Sequence, residues 1–232
     1  MAETIAGISR RVVACAKCPE LRAYCTEVAR VKKRAHRDLP YWGRPVPSFG
    51  DPDARVVLVG LAPGAHGSNR TGRMFTGDGS GNFLFPALYR AGFASRPTAL
   101  DKRDGMQLHD LLITAAIRCA PPLNKPTPEE RRKCFPYLVQ EFEALEKMCV
   151  VVGLGAIGTK AASDALRAGG FQFERALKFG HGAEAVAARG KRRVALIASF
   201  HPSQQNTNTG KLTAPMFDAI FTRALALLSA SP

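Results

Sequence analysis

An apolar run, Val56-Val-Leu-Val59, opens directly into Gly60-Leu-Ala-Pro-Gly-Ala-His-Gly-Ser-Asn-Arg-Thr-Gly-Arg-Met-Phe-Thr-Gly-Asp-Gly-Ser-Gly81, and a helix-like segment, Asn82 to Arg90, follows. A packed core has no use for so many glycines in succession. Glycine lets the main chain take positive φ and approach a ligand closely, and successive backbone N–H groups make an anion-binding concavity. A buried strand emptying into such a loop sets N–H groups, an aromatic (Phe75) and a carboxylate (Asp78) at the carboxyl edge of a sheet. Open α/β sheets bind their ligands at that edge.

Four apolar runs read as buried strands: Val56 to Gly60, Leu111 to Arg118, Cys149 to Gly153 and Val194 to Ser199. They lack polar alternation, as parallel strands covered on both faces do. Helical patterns lie between them. At Thr127-Pro128-Glu129-Glu130 the threonine can cap, the proline suits the first helical position and Glu130 completes a capping box. Leu138, Phe142 and Leu145 continue that helix as an apolar stripe, and Phe217, Phe221, Leu225 and Leu228 form another near the end of the chain. Strand and helix alternate, so the fold class is α/β. No linker or charge block divides the 232 residues, and a single domain, 1–232, is expected.

Thirty-three Lys and Arg against nineteen Asp and Glu give a formal charge of +14, which points to nucleic acid. A membrane surface would want a basic amphipathic helix or a lipid anchor, and neither is visible. The stretch from Met1 to Val13 is not a secretory signal, because Arg10-Arg11 precede only three apolar residues before Cys15. The reading places the chain in a reducing cytosol, where its six cysteines serve as metal ligands or free thiols rather than disulfides.

Cys15-x-x-Cys18 lies near the start of the chain, Cys119 follows a predicted strand, and Cys134 falls early in the capped helix. Four thiolates in two clusters suit tetrahedral zinc or a [4Fe–4S] cluster, which spacing alone does not separate, and ordinary buried cysteines are the plain alternative. Cys149 opens a strand and reads as a small core residue. Cys25 is left over.

Val150-Val-Val-Gly-Leu-Gly-Ala-Ile-Gly158 satisfies Gly-x-Gly-x-x-Gly after a strand, with Glu174 at the distance a dinucleotide site would ask. It lies on the third predicted strand, however, where tight strand-to-helix turning accounts for the glycines; a nucleotide-dependent enzyme would instead bind NAD or ATP there. Ser199-Phe-His-Pro-Ser203 ends the fourth strand. In one parallel sheet this edge is also the edge of the Gly60 loop, so His201 and Asp78 are expected to converge on one pocket.

The Gly60–Gly81 segment resembles, almost residue for residue, the first motif of the bacterial and archaeal family 5 uracil-DNA glycosylases, the type b branch of that superfamily. Ser199-Phe-His-Pro-Ser203, running on through Lys211, is similar to the family's His-Pro-Ser motif, and the cysteine spacing supplies a third match. The resemblance spans nearly the whole chain. It implies a three-layer α/β/α fold with a central four-stranded parallel sheet. It also implies a [4Fe–4S] cluster on Cys15, Cys18, Cys119 and Cys134 that ties residues 1–30 to the rest. The implied activity is removal of uracil, and of other deaminated bases such as hypoxanthine and xanthine, from DNA by a cytosolic monomer. Catalysis falls to Asp78, His201 and Asn124, and base binding to Ala62, Gly64, Ala65, Phe75, Asn124 and His201. Gln204, Gln205 and Asn206 match the segment with which these enzymes enter the minor groove.

Two positions depart from the superfamily pattern. Leu61 and Ala62 stand where other branches carry a polar or acidic residue that handles the attacking water, leaving Asp78 as the motif's carboxylate. Ala115 stands where family 4 has an asparagine that reads uracil's edge; alanine is expected to open space for purines, and Asn124 is the nearby amide. The competing function is a non-catalytic iron–sulfur protein that binds damaged or single-stranded DNA through its basicity and an exposed aromatic.

Overall fold

The computed structural model describes residues 3–230; Met1, Ala2, Ser231 and Pro232, which belong to the expected 1–232 domain, lie outside the described residues. Helices α1 (Ile5–Val13) and α2 (Pro19–Val31) lead into strands β1 (Phe49–Gly50) and β2 (Val56–Gly60). Helices α3 (Ser68–Thr71) and α4 (Gly79–Arg90), strand β3 (Leu111–Ala115) and helix α5 (Pro128–Ala144) come next. Strand β4 (Val150–Leu154), helix α6 (Gly155–Ala168) and strands β5 (Gln172–Phe173), β6 (Glu184–Arg189) and β7 (Arg192–Ser199) precede helices α7 (Gln204–Asn208) and α8 (Ala214–Ser229).

The four expected strands form the parallel heart of the sheet in the order β3-β2-β4-β7. Three short antiparallel additions widen it to seven strands: β1 beside β3, then β6 and β5 beyond β7. Strands β1 and β5 are only two residues long, and β6 offers just the small run Ala185–Ala188, which is why the sequence does not announce them. One core joins the sheet to α4 and α8 through Leu58, Ile113, Val152, Leu84, Phe85, Phe217 and Phe221. A second joins the opposite face to α1, α5 and α6 through Val57, Leu112, Val151, Ile8, Leu138 and Leu166. The strands show no polar alternation because both faces are covered.

The helix starts follow local chemistry. Thr127 and Glu130 make the reciprocal capping box that begins α5. In α8, Phe217, Ile220, Phe221, Ala224 and Leu228 are buried, whereas Leu225 of the expected stripe is turned outward. Strand β3, the second of the expected runs, ends at Ala115 rather than Arg118. Arg118 instead enters the core to pair with Glu141 on α5, whose carboxylate also accepts the Thr114 hydroxyl at 2.6 Å. No helix among the described residues is long and apolar enough to cross a membrane.

Candidate active site

Strand β2 is followed in sequence by a strand on one side of it, β3, and then by one on the other, β4. At such a reversal the loops diverge and leave a crevice at the carboxyl ends of the strands. A cavity of about 870 Å³ opens there, lined by the Gly60 loop, by Pro121, Leu123 and Asn124 beyond β3, and by His201 and Ser203 beyond β7.

Asp78 is the only carboxylate among the lining residues. It is the N-cap of α4, its Oδ1 accepting the Gly81 N–H at 3.0 Å. The helix therefore begins three residues before the apolar pattern suggests, with its first turn written in Gly79-Ser80-Gly81. The other carboxylate oxygen lies against bare main chain: a methyl group on Gly67 would sit 1.9 Å from Asp78 Oδ2, and one on Gly64 at 3.0 Å. Burial raises the pKa of this carboxyl, while the Gly81 and Ser80 N–H groups act in the opposite sense.

His201 is held by its backbone, its carbonyl accepting from the Asn206 amide at 2.9 Å. Gly155, at φ +77°, passes under it; a side chain there would meet His201 Cβ at 3.2 Å. This close approach at the start of α6 gives that glycine its role. Gly158 lies against the Val59 carbonyl and Gly153 against Thr159, so the Gly153–Gly158 run packs helix on sheet, and Glu174 pairs with Arg193 at 2.5 Å. Burial lowers the His201 pKa to about 4, leaving the imidazole neutral at physiological pH.

Phe75 sits in the left-handed region at φ +51°, its ring over Gly60 and 5.9 Å from that of His201 at a tilt of 30°. It is only 8% exposed, so it is a wall of the cavity rather than the exposed aromatic expected. Its strained backbone is braced by the next buried pair: Arg73 binds Asp104 at 2.6 and 2.8 Å and the Thr76 hydroxyl at 2.9 Å. Arg70 ties the two ends of the loop, donating to the carbonyls of His66 at 2.8 Å and Gly77 at 2.9 Å.

Ala62, Gly64 and Ala65 line the cavity, as expected of base-binding positions. Asn124 reaches only its rim, exposed and left-handed at φ +57°. Ala115 is a correction. It is 1% exposed, paired in register with Gly60 and packed in the core, so it does not line the cavity and opens no space beside a base. Sequence reasoning passed over Lys33, His36 and His66, which give the cavity a basic wall. Burial and neighbouring cations lower the pKa of both histidines. Their signal, a basic stretch with histidines around residue 33, was present but shared with any solvated face.

Cys15, Cys18, Cys119 and Cys134 line one separate small pocket together with the cations Lys17, Arg22, Arg118 and Lys133. The donor set suits an iron–sulfur centre: four sulfur ligands, from the α1–α2 turn, the end of β3 and the start of α5, surrounded by positive charge. Burial pushes the Cys134 thiol up to about 11 and raises that of Cys18, while Arg118 and Lys133 respectively act against it. Cys25 is buried against Cys119, its thiol directed at the Ala120 carbonyl 3.6 Å away, and Cys149 is only half buried, beside the Arg55 carbonyl. Ala62 and Ala65 pack on this cysteine group from the other side.

Residues 47–225 match the family model of the uracil DNA glycosylase superfamily. A type-5 uracil-DNA glycosylase of Thermus thermophilus is 50% identical over 218 residues, covering 93% of this chain and 94% of that protein. One from Mycobacterium tuberculosis is 44% identical over 227 residues, covering 97% and 82%. A type-4 uracil-DNA glycosylase of Archaeoglobus fulgidus is 28% identical over 202 residues, covering 87% and 82%. With both motifs facing one cavity at the switch point of the sheet, the chain belongs to the uracil DNA glycosylase superfamily, and within it to the type-5 branch.

Proposed function

We infer that this chain is a hydrolase that cleaves the N-glycosidic bond of uracil in DNA, opening base excision repair. The observation that carries this reading is the convergence of Asp78 and His201, 123 residues apart in sequence, on one cavity backed by an aromatic ring. The similarity to type-5 uracil-DNA glycosylases supports it.

Excision requires the nucleotide to leave the stack and enter the cavity. A protein of charge +14 is drawn to the phosphate backbone, and the wall of Lys33, His36 and His66 suits a phosphate at the mouth. Inside, the base would lie on Phe75. As the bond breaks, negative charge grows on the base and positive charge on the sugar. His201 is neutral, so it works as a hydrogen-bond donor to the base carbonyl rather than as an acid; one such preorganised donor is worth about 3 kcal/mol. Asp78 holds the attacking water and favours the cationic sugar, its oxygen fixed by the α4 N-terminus. Gly64 and Ala65 offer main-chain N–H groups to the base, and Asn124 brings a side-chain amide to the rim.

The substrate range includes hypoxanthine and xanthine. The size of the cavity supports this, since about 870 Å³ exceeds what a pyrimidine needs. The four thiols Cys15, Cys18, Cys119 and Cys134 hold a [4Fe–4S] cluster, which supplies structural cross-linking of residues 1–30 to the loop after β3. Four thiols from three separate segments line one pocket, and each would supply one cysteine sulfur to an iron of the cluster. The enzyme acts as a monomer on DNA in the cytosol, where cysteines stay reduced.

Single-turnover assays on oligonucleotides bearing uracil, hypoxanthine or xanthine test the reading. Abasic sites should form on each with the parent protein. If the Ala variant of His201 and the Asn variant of Asp78 cut uracil-containing DNA at the parent rate, the active site lies elsewhere.

A further inference from the structure

Among the described large hydrophobic residues, Leu123 is the most exposed, at 83%. It stands on the rim of the cavity between Pro121 and Asn124. Its backbone is left-handed at φ +53° and that of Asn124 follows at +57°, two successive non-glycine residues in a region that costs energy for a Leu. Prolines at 121, 122 and 126 surround them, and the turn is closed by Asn124 N–H to the Pro121 carbonyl at 3.1 Å and Lys125 N–H to that of Pro122 at 3.0 Å. A strained turn, stiffened in this way, holds an apolar side chain out in water beside the opening through which a base must pass.

We propose that Leu123 is the wedge that enters the base stack and fills the gap left by the extruded nucleotide, an inference that rests on the DNA glycosylase reading above. Extrusion leaves neighbouring bases with an unstacked face, and an apolar side chain inserted there restores contact and keeps the nucleotide from returning. The stiffness of the turn means little freedom is lost on insertion. The residues carried over from the family for this role, Gln204, Gln205 and Asn206, present only amides; the stem of Gln204 packs on Gly79 and the Asn206 amide donates to the His201 carbonyl. A protein partner would want a wider apolar patch than one leucine, and Lys125 beside it suits phosphate.

Leu123 is therefore a positioning residue, and its effect should depend on whether there is a stack to enter. Under single-turnover conditions with saturating enzyme, Leu123→Ala and Leu123→Gly should slow uracil excision from duplex DNA about tenfold or more while leaving excision from the same single strand unchanged. Glycine also removes the backbone strain, so equal loss in both variants assigns the effect to the side chain. Leu123→Met should restore the duplex rate, and the fluorescence rise of 2-aminopurine beside the lesion should shrink in the Ala and Gly variants but not in the Met variant. Equal rates for parent and variants on duplex, or equal slowing on both substrates, would overturn the wedge. A parent protein inert on uracil in both substrates is a different result, which overturns the glycosylase reading and the wedge with it.

Discussion

The carboxylate of Asp78 fits against Gly67 so closely that even a methyl group there would come within 1.9 Å of its Oδ2, while Oδ1 caps helix α4. One residue thus begins a helix and arms a cavity. Asn caps helices as well as Asp. Because the folded Asp78 pKa lies above its ordinary 3.8, keeping the group ionised at neutral pH opposes folding. Asp78→Asn should therefore keep or slightly raise the melting temperature at pH 7 while slowing single-turnover excision by roughly tenfold or more. Gly67→Ala should reproduce the slow rate by displacing the carboxylate.

His201→Ala should slow excision about a hundredfold with little change in affinity for DNA, since the lost hydrogen bond matters mainly in the transition state. The folded pKa of about 4 lies below the ordinary 6.5, so no loss of rate is expected from this group as pH rises through 6.5. The unfolded chain binds a proton in the window between these values and the folded one does not, so stability falls as pH drops from 6.5 towards 4. Melting temperatures of parent and His201→Gln across that window would test the sign; the variant should show the shallower fall.

Arg73 and Asp104 are 4% and 9% exposed, and removing the cation strands a buried carboxylate. Although burial opposes it, hydrogen bonds from Arg73 and the Met106 and Leu100 N–H groups hold the Asp104 pKa well below its ordinary value. The resulting stability is present above the unfolded value of 3.8 and lost as pH falls through the folded one. Arg73→Met should cost about 3 kcal/mol in urea unfolding at neutral pH, and its acid transition should move to higher pH. The same variant should excise uracil more slowly, since Phe75 loses its brace.

Cys119→Ser should yield protein lacking iron and acid-labile sulfide, with much of it insoluble, whereas Cys149→Ser should keep a full complement of both. Iron and sulfide analysis after anaerobic purification reads the difference. Stoichiometric zinc in place of iron in the parent would reject the cluster.

At the cavity mouth, His36 and His66 have lowered pKa values, from burial first and from nearby Lys33 and Arg70. A phosphate placed among them reverses that cost, so binding should be accompanied by proton uptake. Affinity for undamaged duplex should rise as pH falls from about 8 to about 6, more than it does for a His36→Gln/His66→Gln double variant. Fluorescence anisotropy at constant ionic strength measures it.

The parallel strands and the capped helix α5 were legible because each is a local pattern: a continuous apolar run or a Thr-Pro-Glu-Glu start. The meeting of Asp78 and His201 was legible because parallel strands must end at one edge. What escaped is written in no periodicity. Strands β1 and β5 are two residues each and β6 is a small, half-buried segment, and Arg118 looked like the end of a strand because nothing local shows that Glu141 waits in the core. Ala115 was placed beside the base on the strength of a motif, but its side chain packs into the core cluster that holds Phe75. Alternation along a strand is a fact about backbone twist and register that the resemblance could not supply.

Ala62 and Ala65 face two ways, towards the cavity that holds Asp78 and His201 and towards the buried group formed by Leu21, Cys25 and Cys119. A wall with two occupied sides cannot be rebuilt from one of them. Genetic lesions that loosen the packing of α2 should accordingly score as defects of repair rather than of folding, and a screen for lost excision will collect substitutions that never touch DNA. The mutational target of this enzyme is therefore wider than its chemistry, and includes the amino-terminal helices.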